Sequence, residues 1–221
     1  MKISIIIPVL NDEKNLSQLL NHLSCNDDVE IIVVDGGSHD NSLFIAQEQA
    51  ATVMVSKAGR AIQMNSGAQI ATGDVFLFLH ADTLLPDSAL SSIVSRCTEH
   101  DCWGRFDVHL SNDKFIYRVI ERFINLRSRL TSVATGDQAI FIKKDLFDRV
   151  GGYPEIALME DVAFCKLLKK HSKPHCLKDS VVTSSRRWES NGVIKTILLM
   201  WKLRLYYFLG VSPNKLNKMY R

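Results

Sequence analysis

The chain has no C-x-x-C pair: its five cysteines, Cys25, Cys97, Cys102, Cys165 and Cys176, are odd in number and scattered. That spacing excludes a zinc knuckle, argues against a disulfide framework and points to a reducing, cytoplasmic compartment. No uninterrupted apolar run is long enough to cross a bilayer, because the best candidate, Val193 to Val211, is broken by Lys195, Lys202 and Arg204. The opening Met1-Lys2-Ile3-Ser4-Ile5-Ile6-Ile7-Pro8 holds one basic residue and an apolar stretch too short for a secretory signal, and it reads as a buried strand. A dominant charge is missing too. Lys and Arg number 27 against 24 Asp and Glu, and a net +3 gives no basic field suited to nucleic acid. Without repeats, low-complexity segments or linkers, 221 residues that are 46% hydrophobic are expected to form one domain.

What is present is an alternation of apolar strands and amphipathic helices. Ile3 to Val9 and Glu30 to Asp35 read as strands around a helix from about Glu13 to Leu23, whose Leu16, Leu19, Leu20 and Leu23 mark one face. A helix from Ser42 to Ala51, a strand from Val53 to Ser56, a helix from Ala61 to Ala71 and a strand from Val75 to His80 continue the series. Continuous rather than alternating apolar strands predict a mostly parallel α/β sheet covered on both faces. Pro86 announces another helix, and from about Trp103 the pattern loosens. A basic amphipathic helix from Phe115 to Leu130, a Gly136-Asp137-Gln138 turn and a strand from Ala139 to Lys143 are still legible there.

Ligands of open α/β sheets gather at the carboxyl ends of the strands. Those ends carry Asn11, then Asp35-Gly36-Gly37-Ser38, then His80-Ala81-Asp82, with Gly59-Arg60-Ala61 ahead of a helix. Asp82 is placed to hold Mg²⁺ or Mn²⁺ at the sheet edge, with His80 on the same side. Taken singly, Asp82 also suits a cap for the following turn and His80 a locally bonded loop histidine. Glu160-Asp161 opens a helix after Gly151-Gly152-Tyr153-Pro154. The pair suits a general base, although carboxylates also favour a helix start electrostatically.

In order and spacing these motifs resemble a family 2 glycosyltransferase of the GT-A fold, over nearly the full length and close to a compact bacterial branch. Ile5-Ile6-Ile7-Pro8-Val9-Leu10-Asn11 is similar to the opening strand, Val33-Val34-Asp35-Gly36-Gly37-Ser38 to the second nucleotide-contacting strand, His80-Ala81-Asp82 to the D-x-D metal motif and Met159-Glu160-Asp161 to the E-D motif. The resemblance implies an inverting transferase of hexosyltransferase type that moves a sugar from a nucleotide diphosphate, with UDP-sugars favoured, to a hydroxyl acceptor. Pro8, Val9, Asn11, Asp35, Gly36, Arg60, Asn65, His80, Ala81 and Asp82 would then form the donor site. Asp161 would be the base, with Glu160 second. His80 stands where the motif has its first acid, so metal binding is expected to rest on Asp82 and the diphosphate.

Ser184-Ser185-Arg186-Arg187-Trp188 resembles the Q-x-x-R-W motif of processive relatives, with Ser184 in the glutamine position, so no processivity follows. Arg186 and Arg187 suit phosphate oxygens, and Trp188 suits a sugar face or support of its loop. Gly136, Asp137 and Gln138 resemble an acceptor loop. The expected organisation is a donor half over 1–110, an acceptor half over 111–190 and an amphipathic C-terminal helix over 191–221. Phe115 to Arg129 and Leu198 to Phe208 mix aromatic, aliphatic and basic residues, which fits peripheral contact with a membrane as well as packing against the core or a homodimer partner. Two other functions share this fold class, a sugar-nucleotidylyltransferase and a non-catalytic sugar-nucleotide-binding protein. The acidic Asn11-Asp12-Glu13 after the first strand disfavours the former, which needs a basic glycine-rich loop there.

Overall fold

The computed structural model describes residues 1–23, 29–49, 52–98 and 101–220. Cys25, His100 and the expected end of the second helix at Ala51 lie outside them. The elements run β1 (Ile3–Val9), α1 (Glu13–Leu23), β2 (Val29–Asp35), α2 (Ser42–Gln49), β3 (Thr52–Val55), α3 (Arg60–Ile70), β4 (Val75–Phe78), β5 (Thr83–Leu84) and α4 (Ala89–Arg96). They continue as β6 (Trp103–Leu110), α5 (Phe115–Thr131), a 3-10 turn (Gly136–Gln138), β7 (Ile140–Lys143), α6 (Lys144–Val150), α7 (Glu160–Leu168), β8 (His175–Thr183), α8 (Arg186–Asn191), α9 (Val193–Phe208) and α10 (Pro213–Tyr220).

The strands form one eight-stranded sheet in the order β3-β2-β1-β4-β7-β6-β8-β5. β1 pairs in parallel with β2 and β4, and β2 with β3, whereas β7 runs antiparallel between β4 and β6. Alternate residues of β1 feed two cores. Ile5 and Ile7 pack with Leu16, Leu19 and Leu20 of α1 on one face, and Ile6 packs with Met64 and Ala68 of α3 on the other. Burial of each such side chain contributes about 1.5–3 kcal/mol, so α1 is held by its apolar face more than by intrinsic helix propensity. α3 lies close on the sheet at Gly67, where a Cβ would meet Ile6 Cγ2 at 2.5 Å.

Three elements depart from the loosened pattern expected after Trp103. β6 and β8 are long parallel strands, and α6 follows β7 directly. Two charges in β6 hid it: Arg105 is 1% exposed, and it pairs with Asp107, which also accepts from Arg129 Nη2 at 2.5 Å. β4 ends at Phe78 rather than His80, although Leu79 N still donates to Ile6 O at 3.0 Å. Among the described residues, Cys97, Cys102, Cys165 and Cys176 form no disulfide. No helix among the described residues is long and apolar enough to cross a membrane.

Candidate active site

The parallel strands β1 and β2 deliver their carboxyl ends side by side. Gly36 N donates to Val9 O at 2.9 Å, and the buried amide of Gln63 on α3 spans Val9 O and Val34 O, both at 2.8 Å. Its Oε1 also accepts from Gly59 N at 3.3 Å, which ties the start of α3 to the strand ends. Asn11, at φ 52°, accepts from His39 N through Oδ1 at 2.7 Å, and its own N donates to Ser38 Oγ at 2.9 Å. The two post-strand loops are thereby latched together.

Asp35 lies on this floor. Its Oδ2 accepts from Gly37 N and Ser38 N, each at 2.8 Å, whereas Oδ1 is buried with no partner. A buried carboxylate oxygen without a donor is costly in isolation, and here it is free to accept from a ligand. Pro8 and Val9 are buried in β1 and Ala81 in the turn between β4 and β5, so they shape the floor through backbone and packing. Gly36 is pressed against Gln63, 3.1 Å from where a Cβ would stand.

Asp82 follows β4 and is half-buried. Thr83 pairs with Thr183 across β5 and β8, and Ser184 N donates to Asp82 O at 3.2 Å, which brings the start of α8 beside this carboxylate. Arg186 then reaches Asp12 at 3.5 Å, joining the start of α8 to the loop after β1. Arg187 stacks on the Tyr220 ring at 3.6 Å and donates to Tyr220 O at 3.0 Å. These arginines border an open depression of about 510 Å³ with Ser190, Asn191 and Tyr220. Trp188 turns away, packing with Tyr117, Ile120 and Val193, so it supports the loop.

The far wall is the start of α7. Asp161 Oδ2 accepts from Gly136 N at 3.1 Å and Oδ1 from Val162 N at 2.7 Å. Burial raises the Asp161 pKa and outweighs those bonds. Burial, then the neighbouring Asp161, pushes Glu160 up to about 7. Asp82 is raised as well, by burial and then by Asp12. Arg60, at the start of α3, answers these groups: desolvation opposes its charge, but Tyr220, Glu160, Asp161 and Asp82 together raise its pKa. His80 packs its ring over Gly136, where a Cβ would come within 2.5 Å of Cε1 and Nε2. Burial, and then the charge of Arg60, holds its imidazole down to about 3, so it is neutral at any physiological pH. A cavity of about 10 Å³ between His80, Gly136, Glu160 and Asp161 has room for about one water.

Two candidates are spent on structure. The amide of Asn65 exchanges hydrogen bonds with Tyr153 N and O, both at 2.9 Å, clamping the loop ahead of α7, and so is not free to grip a donor. Gln138 is fully buried, donating to Ser128 Oγ at 3.1 Å and Phe106 O at 3.4 Å, so it sets the Gly136 turn instead of meeting an acceptor. Asp137 in the same turn keeps a buried, unpartnered Oδ1. Gln63, Asp12 and Tyr220 were missed from sequence. Only Asp12, beside Asn11 after the first strand, carried a signal there.

No three His, Cys, Asp or Glu side chains among the described residues converge closely enough to hold a metal by themselves. The acidic surroundings nonetheless suit an oxygen-preferring cation: Asp82 is raised by Asp12 and Asp137, and that repulsion is what a divalent ion would relieve.

Residues 4–153, which hold the floor of strand ends, match the model of Glycosyl transferase family 2. The chain belongs to this family. An undecaprenyl-phosphate 4-deoxy-4-formamido-L-arabinose transferase of Proteus mirabilis is 32% identical over 157 residues, 64% of this chain and 48% of that protein. The chain spans about half the length of the curated relatives it matches. The structure of S. aureus TarS 1-349 in complex with UDP-GlcNAc aligns with TM-score 0.66 at 22% identity, covering 83% of this chain and 58% of that one. The mannosyltransferase PcManGT of Pyrobaculum calidifontis, in complex with GDP-Man and Mn²⁺, aligns with TM-score 0.63 at 20% identity, covering 81% and 56%. This family 2 chain therefore has the GT-A fold, as its motifs implied.

Proposed function

We propose that this chain transfers a sugar from a nucleotide diphosphate, a UDP-sugar in the favoured reading, to a hydroxyl acceptor with inversion. One observation carries the reading. His80 of the strand-end set lines the same small cavity as Glu160 and Asp161, and Arg60 lies within electrostatic reach of Asp82, Glu160 and Asp161, which supports reading these motifs, far apart in sequence, as one site. The bare Oδ1 of Asp35 would accept from base or ribose, and Arg60, Arg186 and Arg187 supply positive charge for the diphosphate. A divalent cation held by Asp82 and the donor's phosphate oxygens would add charge for the leaving group. Asp161, fixed by Gly136 N and Val162 N, takes the acceptor proton, and its raised pKa suits a base near neutral pH. The fold relatives named above bind UDP-GlcNAc and GDP-mannose, which supports the donor class without choosing between them.

Incubation with UDP- and GDP-sugars tests the reading. Release of nucleoside diphosphate supports transfer, release of pyrophosphate would indicate nucleotidyl transfer, and neither would leave binding alone. Asp161→Asn should keep donor affinity and lose about 10²–10⁴ in rate; near-normal kcat would move the role of base to Glu160.

A further inference from the structure

α9 carries apolar residues round most of its circumference, a pattern that belongs to buried helices, yet it is covered on one side only. Its inner face is in use: Leu203 packs with Met159, Val162 and Leu216, and Val193 and Ile197 pack with Tyr117 and Ile120 of α5. Its outer face is bare. Ile194, Leu198, Trp201, Leu205 and Phe208 recur at helical spacing and are 57–75% exposed. The neighbouring α5 adds Phe123, Leu126 and Leu130, exposed by 54% or more. Contiguous exposed apolar surface of this kind marks an interaction site.

The charge around the stripe identifies the partner. Exposed Lys195 and Lys202 lie on α9, and exposed Arg122 lies on α5, where Arg129 is already paired with Asp107. α9 and α10 contain no acidic residue, and the single acid of α5, Glu121, is buried against Leu110 N at 2.5 Å and Arg118 Nη2 at 3.1 Å. Arg127 and Arg204 crowd each other where α5 and α9 meet, and burial followed by that repulsion lowers Arg127 to about 10. A second copy pressed against this face would set Lys195, Lys202 and Arg122 against one another, and α5, α9 and α10 hold no exposed acid to answer them. An anionic lipid surface supplies both what the stripe and what the cations need, acyl chains beneath and negative headgroups around.

We propose that the outer face of α5 and α9 docks on an anionic bilayer. The opposite side of α9 packs on Met159 and Val162, the residues flanking Glu160 and Asp161, so docking would fix the catalytic wall relative to the membrane. Docking is independent of the transfer reading and is measured without turnover, so either can fail alone.

The test uses the intact chain with vesicles of phosphatidylcholine alone or mixed with phosphatidylglycerol, in flotation and tryptophan fluorescence. Trp201 is 67% exposed, whereas Trp103 is buried and Trp188 half-buried, so a blue shift quenched by brominated lipid reports Trp201. Binding to the anionic vesicles at low salt is expected, with little binding to phosphatidylcholine. Lys195→Gln with Lys202→Gln should weaken it about 25-fold, at about fivefold per cation. Leu198→Ser with Leu205→Ser should weaken it more than about tenfold, and circular dichroism should remain unchanged because both side chains are exposed. Absence of binding to anionic vesicles, or equal binding to both vesicle types, overturns the proposal. So does a concentration-dependent dimer that the serine pair dissolves in the absence of vesicle binding.

Discussion

Replacing Glu160 with glutamine should make the protein more stable at alkaline pH and leave it unchanged at acid pH. Glu160 is 7% exposed, and burial, then the adjacent Asp161, lifts its pKa from 4.5 to about 7 against the pull of Arg60. Between those values the folded chain keeps a proton that the unfolded chain has released. Stability contributed by this group is therefore complete below pH 4.5 and is lost as pH rises through about 7. At about 1.4 kcal/mol per pKa unit, the loss amounts to about 3 kcal/mol. Glutamine has a similar shape and no proton to lose. Urea unfolding of both proteins at pH 4 and pH 8 should give matching stabilities at the lower pH and a variant more stable by about 3 kcal/mol at the higher. An equal stability difference at the two pH values would show that Glu160 is not held protonated by its surroundings, and the electrostatic account of the far wall would fail with it.

Asp35→Ala should weaken donor binding by about tenfold or more while leaving any vesicle binding intact, because it removes the one buried acceptor left free on the strand floor; isothermal titration with UDP and GDP checks this. Gly136→Ala should lower turnover more than donor affinity, since the new methyl would drive into the His80 ring and disturb the bond that holds Asp161; overpacking of this kind costs about 1–3 kcal/mol, visible in thermal unfolding. Asp107→Ala should destabilise the chain by about 3–5 kcal/mol by stranding the buried Arg105, a loss that denaturant unfolding reads directly. Asp82→Ala should abolish metal-dependent transfer, and undiminished turnover by that variant in excess EDTA would end the assignment of the cation to Asp82.

The N-terminal half was legible because its physics is local. Ile5 to Val9 and Ile31 to Val34 are unbroken apolar runs that read as buried strands, and α1 shows its leucines on one face, so Asn11, Asp35 and Asp82 fell at strand ends by simple reading. The C-terminal half hid its strands because burial there is secured by pairing. Arg105 is as buried as any leucine, but only its partnership with Asp107 makes that tolerable, and neither residue announces the other. Phe106, Val108 and Leu110 do alternate with Asp107 and His109, a strand period that was readable. Side-chain amides mislead for a related reason. Asn65 and Gln138 have the chemistry of ligand contacts, and the fold spends it on backbone and hydroxyl partners, whereas Gln63 stayed unremarked on a helix while holding the two strand ends. Tyr220 reaches Arg187 only through the packing of α10, which no short motif encodes.

The bridge made by Gln63 has a kinetic meaning. Parallel strands splay where their ladder ends, and the last carbonyls there would ordinarily wait for water or for a ligand to order them. One amide caps Val9 and Val34 together and anchors the turn into α3, so this half of the site is rigid before anything arrives. The opposite side is assembled from helix starts and the end of the tail, whose geometry depends on several separate segments. On the proposed transfer, a site with one half already bridged and the other assembled from separate segments would load in sequence, the nucleotide first and the acceptor second.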